Sequence, residues 1–178
     1  SLTTTMRTPG DDFDLAIGHL LTEGLLHGAD EVATLMHCTD LDESGSPTFN
    51  VVDVTLAPGV VLHRAPRERT GAMTSACGVC GSASVEAVRT ASRYAVASDP
   101  LVLSPGVVAG LPDALRVRQP VFDRTGGVHA AGLATASGEL VHVREDVGRH
   151  NAVDKVVGAA ARVGALPLAG TVLVVSAR

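Results

Sequence analysis

No tryptophan occurs in the 178 residues, and aromatic side chains make up only 2% of them. So few rings leave little on which bases could stack, which disfavours a protein that grips single-stranded nucleic acid. Positive charge is short too: 14 Lys and Arg stand against 19 Asp and Glu, a net charge of −5. A broad footprint on phosphate backbones is therefore not expected. No stretch approaches the roughly 18 apolar residues that a membrane span requires. No basic start followed by an apolar core marks an export signal. Three cysteines, an odd number, do not make the paired framework of a small secreted protein. Reduced thiols in a cytoplasmic protein are the simpler expectation. Both ends read as cut: Ser1 is not a methionine, and "TVLVVSAR" stops directly after an apolar run.

What is present is a core. Hydrophobic residues, mostly Val, Ala and Leu, make up 46% of the chain, which excludes a disordered polymer. Residues 11–26, "DDFDLAIGHLLTEGLL", predict a helix with Asp11 as N-cap and Asp12 and Asp14 in the first turn. Phe13, Ile17, Leu20 and Leu21 would form its buried face, and Gly24 or Gly28 would end it. Residues 51–56 and 60–62 read as strands around the turn signal "APG". Residues 82–93 read as a short helix, and the proline-bearing stretch 97–115 as a connector holding one or two helical turns. "HAAGLATA" and "ELVHVRE" flank "SG", the signature of a two-residue hairpin. "DVGRHNAVDKVVGAAARVG" then predicts an amphipathic helix with Val153, Val156, Val157 and Ala160 on one side. A fully buried strand, "TVLVVSA", follows. This order predicts an α/β (α+β) protein with helices packed on a mixed sheet, and a boundary dividing residues 1–95 from 96–178.

Two of the three cysteines, Cys77 and Cys80, sit in "TSACGVCG" at residues 74–81. A structural zinc site needs four ligands, yet only Cys38 is left and the seven histidines show no H-x₃₋₅-H spacing. A thioredoxin-type redox pair follows a strand and opens a helix; here a charged loop leads in. Inert packing is a third reading. The fourth is an exposed nucleophilic thiol on a glycine-hinged loop, with Arg64, Arg67 and Arg69 favouring the thiolate. Such a thiol suits a carrier, because it can accept a group from one protein and deliver it to another.

A second constellation is "REDVGRHNAVDK", residues 144–155. A glycine-bearing helix N-terminus attracts anions, and Arg149 and His150 beside Gly148 add donors. The structural alternative is a polar cap in which Asp146 caps the helix and His150 pairs with Asp154. In "FDRTGGVHAAG", Gly126 and Gly127 permit close backbone approach, and His129 is either a ligand contact or a satisfied edge histidine. Arg7, in "MRTPGDD", is a candidate anion contact.

Together "MRTPGDD…LTEG", "TSACGVCG", "TGGVHAAGL" and "REDVGRHNAVDKVVG" resemble the signature blocks of the formate dehydrogenase accessory sulfurtransferases, the FdhD family. The blocks lie in the family's order and span residues 6 to about 178. The resemblance implies a cytoplasmic sulfur carrier that takes persulfide sulfur from a cysteine desulfurase. It passes that sulfur to the bis(molybdopterin guanine dinucleotide) cofactor destined for formate dehydrogenase. Cys77 matches the persulfide-bearing cysteine and Cys80 its partner. Gly126, Gly127, His129, Arg149, His150, Asn151 and Lys155 are the candidates for cradling the acceptor's phosphate and guanine portions, and no structural metal is implied. The family's fold is similar to that of cytidine deaminases, a three-layer mixed sheet, here with an added N-terminal subdomain carrying a mobile CxxC loop and with a homodimer as the assembly. Where a deaminase carries H-x-E, this chain has His150-Asn151-Ala152, so the acid/base glutamate is missing. A zinc-dependent deaminase-like enzyme and a cofactor escort without sulfur transfer are the rival readings.

Overall fold

A computed structural model describes residues 2–41, 44–63, 94 and 98–176. The predicted helix over 82–93, the cysteine pair and the three arginines before it lie outside the described residues. Helix α1 spans Asp12–Thr22. Asp11 does stand at its N-cap, but in a left-handed conformation (φ 54°) and with no capping bond from its side chain. The first-turn acids serve other partners: Asp12 pairs with Arg7 and Asp14 with Arg144 and Arg162. Ile17 and Leu20 are buried as expected, whereas Phe13 and Leu21 are half-buried. The helix ends at Gly24 (φ 67°), where Leu25 and Leu26 turn back so that both backbone N–H groups reach the Leu20 carbonyl.

Leu20, Leu25 and Leu26 form a small core with Val32, Val54, Leu56, Val60 and Leu62. The strands over it are β1 (Val32–Cys38) and β2 (Val51–Leu56), paired antiparallel with a bulge at Val32/Thr34. Residues 60–62 contribute to that core without forming a strand, because Val60 N–H is spent on the Ala57 carbonyl in a turn around Gly59. The partner of β2 is β1, an element the sequence reading did not assign.

After this ribbon come α2 (Pro105–Arg116) and α3 (Pro120–Thr125), then β3 (His129–Thr135), β4 (Leu140–Asp146), α4 (Arg149–Arg162) and β5 (Thr171–Val175). The β3–β4 hairpin is where the sequence puts it, though its loop has three residues. Thr135 N–H reaches the Glu139 carbonyl around Gly138, which takes φ 88°, the left-handed position such a loop needs. The strand order is β4–β3–β5. Every strand pairing among the described residues is antiparallel, which corrects the expected mixed sheet: β5 returns beside β3 in the opposite direction. Nor is β5 fully buried, since Leu173 and Val175 are exposed.

Strand β3 is the centre of the molecule, and its alternation builds both faces. Ala130 and Ala134 meet Leu111 and Leu115 of α2 on one side. Ala131 and Leu133 meet Ala152, Val156 and Ala160 of α4 on the other. Helices thus cover both faces of the sheet. Helix α1 lies on α4 at backbone contact: a Cβ on Gly18 would strike the Asp154 carbonyl, and one on Gly158 would strike that of Asp14. Only glycine permits this approach.

Candidate functional site

The hairpin register sets His129 opposite Asp146. It therefore brings the start of β3, with Gly126 and Gly127 just before it, to the same end as the β4–α4 junction. Glu145 fastens α3 to this end. Its two carboxylate oxygens accept the backbone N–H groups of Val121 and Phe122, both at 2.8 Å, filling the orphan donors of a helix start. Sequence reasoning missed that role, because the acceptor lies 23 residues from the donor. Gly126 closes α3 at φ 60° and leaves open space around its Cα.

The seven candidate cradle residues do not form one surface. Gly126, Arg149 and His150 are exposed, and Gly127 and His129 are half-buried. Asn151 and Lys155 are buried, the lysine to 1% of its surface. Lys155 Nζ donates to the Asp146 carboxylate at 2.8 Å and to the carbonyls of Thr8 and Glu145 at 2.9 and 3.4 Å. Its three protons are thereby used. Asp146 is equally satisfied: it also accepts from Gly148 N–H, Thr8 N–H and the Asn151 amide at 2.9–3.0 Å. Asn151 donates a second bond to the Met6 carbonyl at 2.8 Å, and Val147 N–H donates to the Thr8 hydroxyl. Residues 5–8 therefore lie across the first turns of α4 and occupy its inner polar face. No spacing in the sequence shows this, since the donors and acceptors are about 140 residues apart.

Other pairings differ from expectation in the same way. Asp146 accepts the backbone N–H of Gly148, the N-cap residue, and not the N–H groups inside the first turn that the polar-cap reading would have it take. His150 does not pair with Asp154, which instead meets the Thr22 hydroxyl at 2.7 Å and His19 Nδ1 at 3.5 Å. Arg7 is committed to Asp12 and to the Phe49 carbonyl, so it braces the N-terminal segment. Gly148 caps α4 with no side-chain bond. The start of α4 thus presents Arg149 and His150 outward at the positive end of a 14-residue helix, a setting that favours anionic groups.

Cys77 and Cys80 lie outside the described residues. Cys38, at the end of β1, donates its S–H to the Asp53 carboxylate at 3.0 Å. That bond, with some desolvation and the charges of Asp53 and Asp40, pushes its pKa above the usual thiol value. A thiol held protonated is a poor nucleophile.

A further cluster escaped the sequence reading. His27, Glu31 and His63 come together at the base of the β1–β2 ribbon, although 32 residues separate the last two. Burial pushes the Glu31 pKa up, but the bonds from the His27 backbone N–H and the His63 ring outweigh it and hold the carboxyl below its ordinary value.

Among the described residues no helix is long and apolar enough to cross a membrane. The family model for the FdhD/NarQ family matches residues 1–178. The chain is 57% identical to a protein of Streptomyces avermitilis named sulfur carrier protein FdhD, covering 99% of this chain and 63% of the relative. It is 54% identical to the protein of that name from Streptomyces coelicolor, with the same coverage. It is 47% identical to the one from Mycobacterium tuberculosis, covering 99% and 65%. The chain thus spans less than two thirds of the length of these relatives. A crystal structure of a formate dehydrogenase accessory protein from Desulfotalea psychrophila shares the fold, with a TM-score of 0.57 at 21% identity over 97% of this chain and 59% of that one. With matching residues running from one end to the other, the chain belongs to the FdhD/NarQ family.

Proposed function

We propose that the protein is a sulfur carrier serving the maturation of formate dehydrogenase. The observation that carries this reading is the match along the whole chain to relatives named sulfur carrier proteins. The Cys77 thiolate attacks the terminal sulfur of a cysteine desulfurase persulfide. The bond between the two donor sulfurs breaks, the desulfurase cysteine leaves as a thiolate, and Cys77 becomes a persulfide. The Cys80 thiolate then attacks the inner sulfur of that persulfide, and the S–S bond to the terminal sulfur breaks. A Cys77–Cys80 disulfide forms, and the terminal sulfur leaves as sulfide for the bis(molybdopterin guanine dinucleotide) acceptor. Two features support a division of labour among the thiols: three arginines precede Cys77 in sequence, whereas Cys38 has carboxylates beside it.

The acceptor's phosphate groups bind at the open start of α4, where Arg149 and His150 supply donors, with Gly126, Gly127 and His129 on the neighbouring rim. Asn151 and Lys155 act from behind, by fixing the junction. A deaminase-like core, a homodimer and a cytoplasmic setting belong to the same reading.

Intact-protein mass spectrometry after incubation with a cysteine desulfurase and cysteine tests it. The expected gain is one sulfur, about 32 Da, removable by reductant and absent from Cys77→Ala. A chain that binds the acceptor yet gains no mass would be an escort, not a carrier.

A further inference from the structure

Away from the α4 junction, His27, Glu31 and His63 converge on one point of the surface. His27 stands in the turn after α1, Glu31 at the end of the 3-10 turn Ala29–Glu31, and His63 beyond β2. His63 Nε2 is 2.8 Å from Glu31 Oε1. The imidazole rings of His27 and His63 lie parallel, with centroids 3.8 Å apart and planes 10° apart. One ligand atom from each of the three side chains falls within 4.8 Å of the others.

We propose that His27, Glu31 and His63 form a binding site for a divalent transition-metal ion, with zinc as its occupant. Two imidazoles with one carboxylate suit zinc, whereas magnesium and calcium prefer all-oxygen sets. Zinc bonds of about 2.0–2.1 Å place neighbouring ligand atoms roughly 3–3.5 Å apart. At 2.8 Å the His63–Glu31 edge is close to that length, and the His27 ring must turn out of its stack on His63 for its nitrogen to share an ion with the other two. The support around the ligands is that of an ordered site. His27 N–H holds Glu31 Oε2 at 2.8 Å, and His63 N–H is bonded to the carbonyl of buried Leu25 at 3.0 Å. The His63 side chain is 35% exposed and Glu31 14%, so an ion has a path in. Three protein ligands leave a fourth position for water or an external donor. His63 is also the residue directly before the Arg64–Cys80 stretch in sequence, so the ion would tie the root of the thiol-bearing segment to the end of α1.

The test must keep thiolates out of the metal count. In the full chain carrying Cys38→Ser, Cys77→Ser and Cys80→Ser, Zn²⁺ alone is titrated by calorimetry and Co²⁺ by optical spectroscopy. One equivalent per chain is expected, together with a rise in Tm on zinc addition. His63→Ala and Glu31→Gln should each weaken zinc binding at least tenfold and abolish the Tm rise. Paramagnetic broadening by Co²⁺ of the His27 and His63 ring signals supplies a check that needs no variant. No binding, affinity unchanged in both variants, or broadening confined to other histidines would overturn the proposal and leave a metal-free hydrogen-bonded cluster. Persulfide loading at Cys77 is a separate measurement, so failure here leaves the carrier reading intact.

Discussion

The first two turns of α4 carry two polar pairs with opposite fates. Arg149 and His150 face outward and are exposed; Asn151 and Lys155 face inward and are buried. All four are hydrophilic, and all four fall in one conspicuous sequence block. What separates them is the N-terminal segment, whose Met6 and Thr8 carbonyls accept from the inner pair. The inner pair therefore holds the fold together at this end, and the outer pair lies on the exposed surface of the helix start. A block of unusual residues thus serves two ends at once, and each pair should respond differently to substitution.

The largest expected effect is on Lys155. Lys155→Met leaves Asp146 as an uncompensated charge in a site where it is 0% exposed, which costs about 3–5 kcal/mol. Urea unfolding followed by circular dichroism measures it; a loss below about 1 kcal/mol would mean that the ion pair does not hold this end. Asn151→Ala removes bonds to Met6, Asp146 and Thr5 and should cost about 1–3 kcal/mol in the same experiment. The outer pair reverses the pattern. Arg149→Ala with His150→Ala should change stability by no more than about 0.5 kcal/mol. The same double variant should bind guanosine diphosphate about tenfold more weakly, near 1.4 kcal/mol, by fluorescence titration or calorimetry. Unchanged affinity would remove both residues from the cradle.

The smallest effect concerns the thiols. Because Asp53 keeps Cys38 protonated, its alkylation at neutral pH should be slow, and Asp53→Asn should speed it by roughly a few-fold. Peptide mass mapping of iodoacetamide adducts reads both rates. A Cys38 that reacts faster than Cys77 would reverse the assignment of the carrier thiol.

How legible this was depends on the range of the contacts. The β3–β4 hairpin, α4 and α1 could be read because their patterns are local: alternation around Ser137-Gly138, and helical spacing ending at Gly164 and Gly24. Helix α2 was underestimated because its prolines look like breaks. Pro105 instead sits at the permissive first position behind the Ser104 cap, and Pro112 is exposed within the helix, where the loss is one backbone bond. β1 lacks a clean alternation, with His37 and Cys38 among its apolar residues, and only its pairing with β2 defines it. The buried role of Lys155, the capping of α3 by Glu145 and the His27–Glu31–His63 cluster depend on partners tens of residues away or more. Composition carries no trace of such pairings.

The meeting of Gly18 with Gly158 has a consequence for how this scaffold can vary. A saturation library would return almost nothing but glycine at both columns, since even a methyl group must push two main chains apart. Gly106 and Gly110 of α2, with nothing within 4 Å of an added Cβ and no left-handed backbone, would by contrast accept alanine freely. The spacing between the two glycine-seated helices is thus a fixed gauge, and engineering of this chain has its latitude on the opposite face of the sheet.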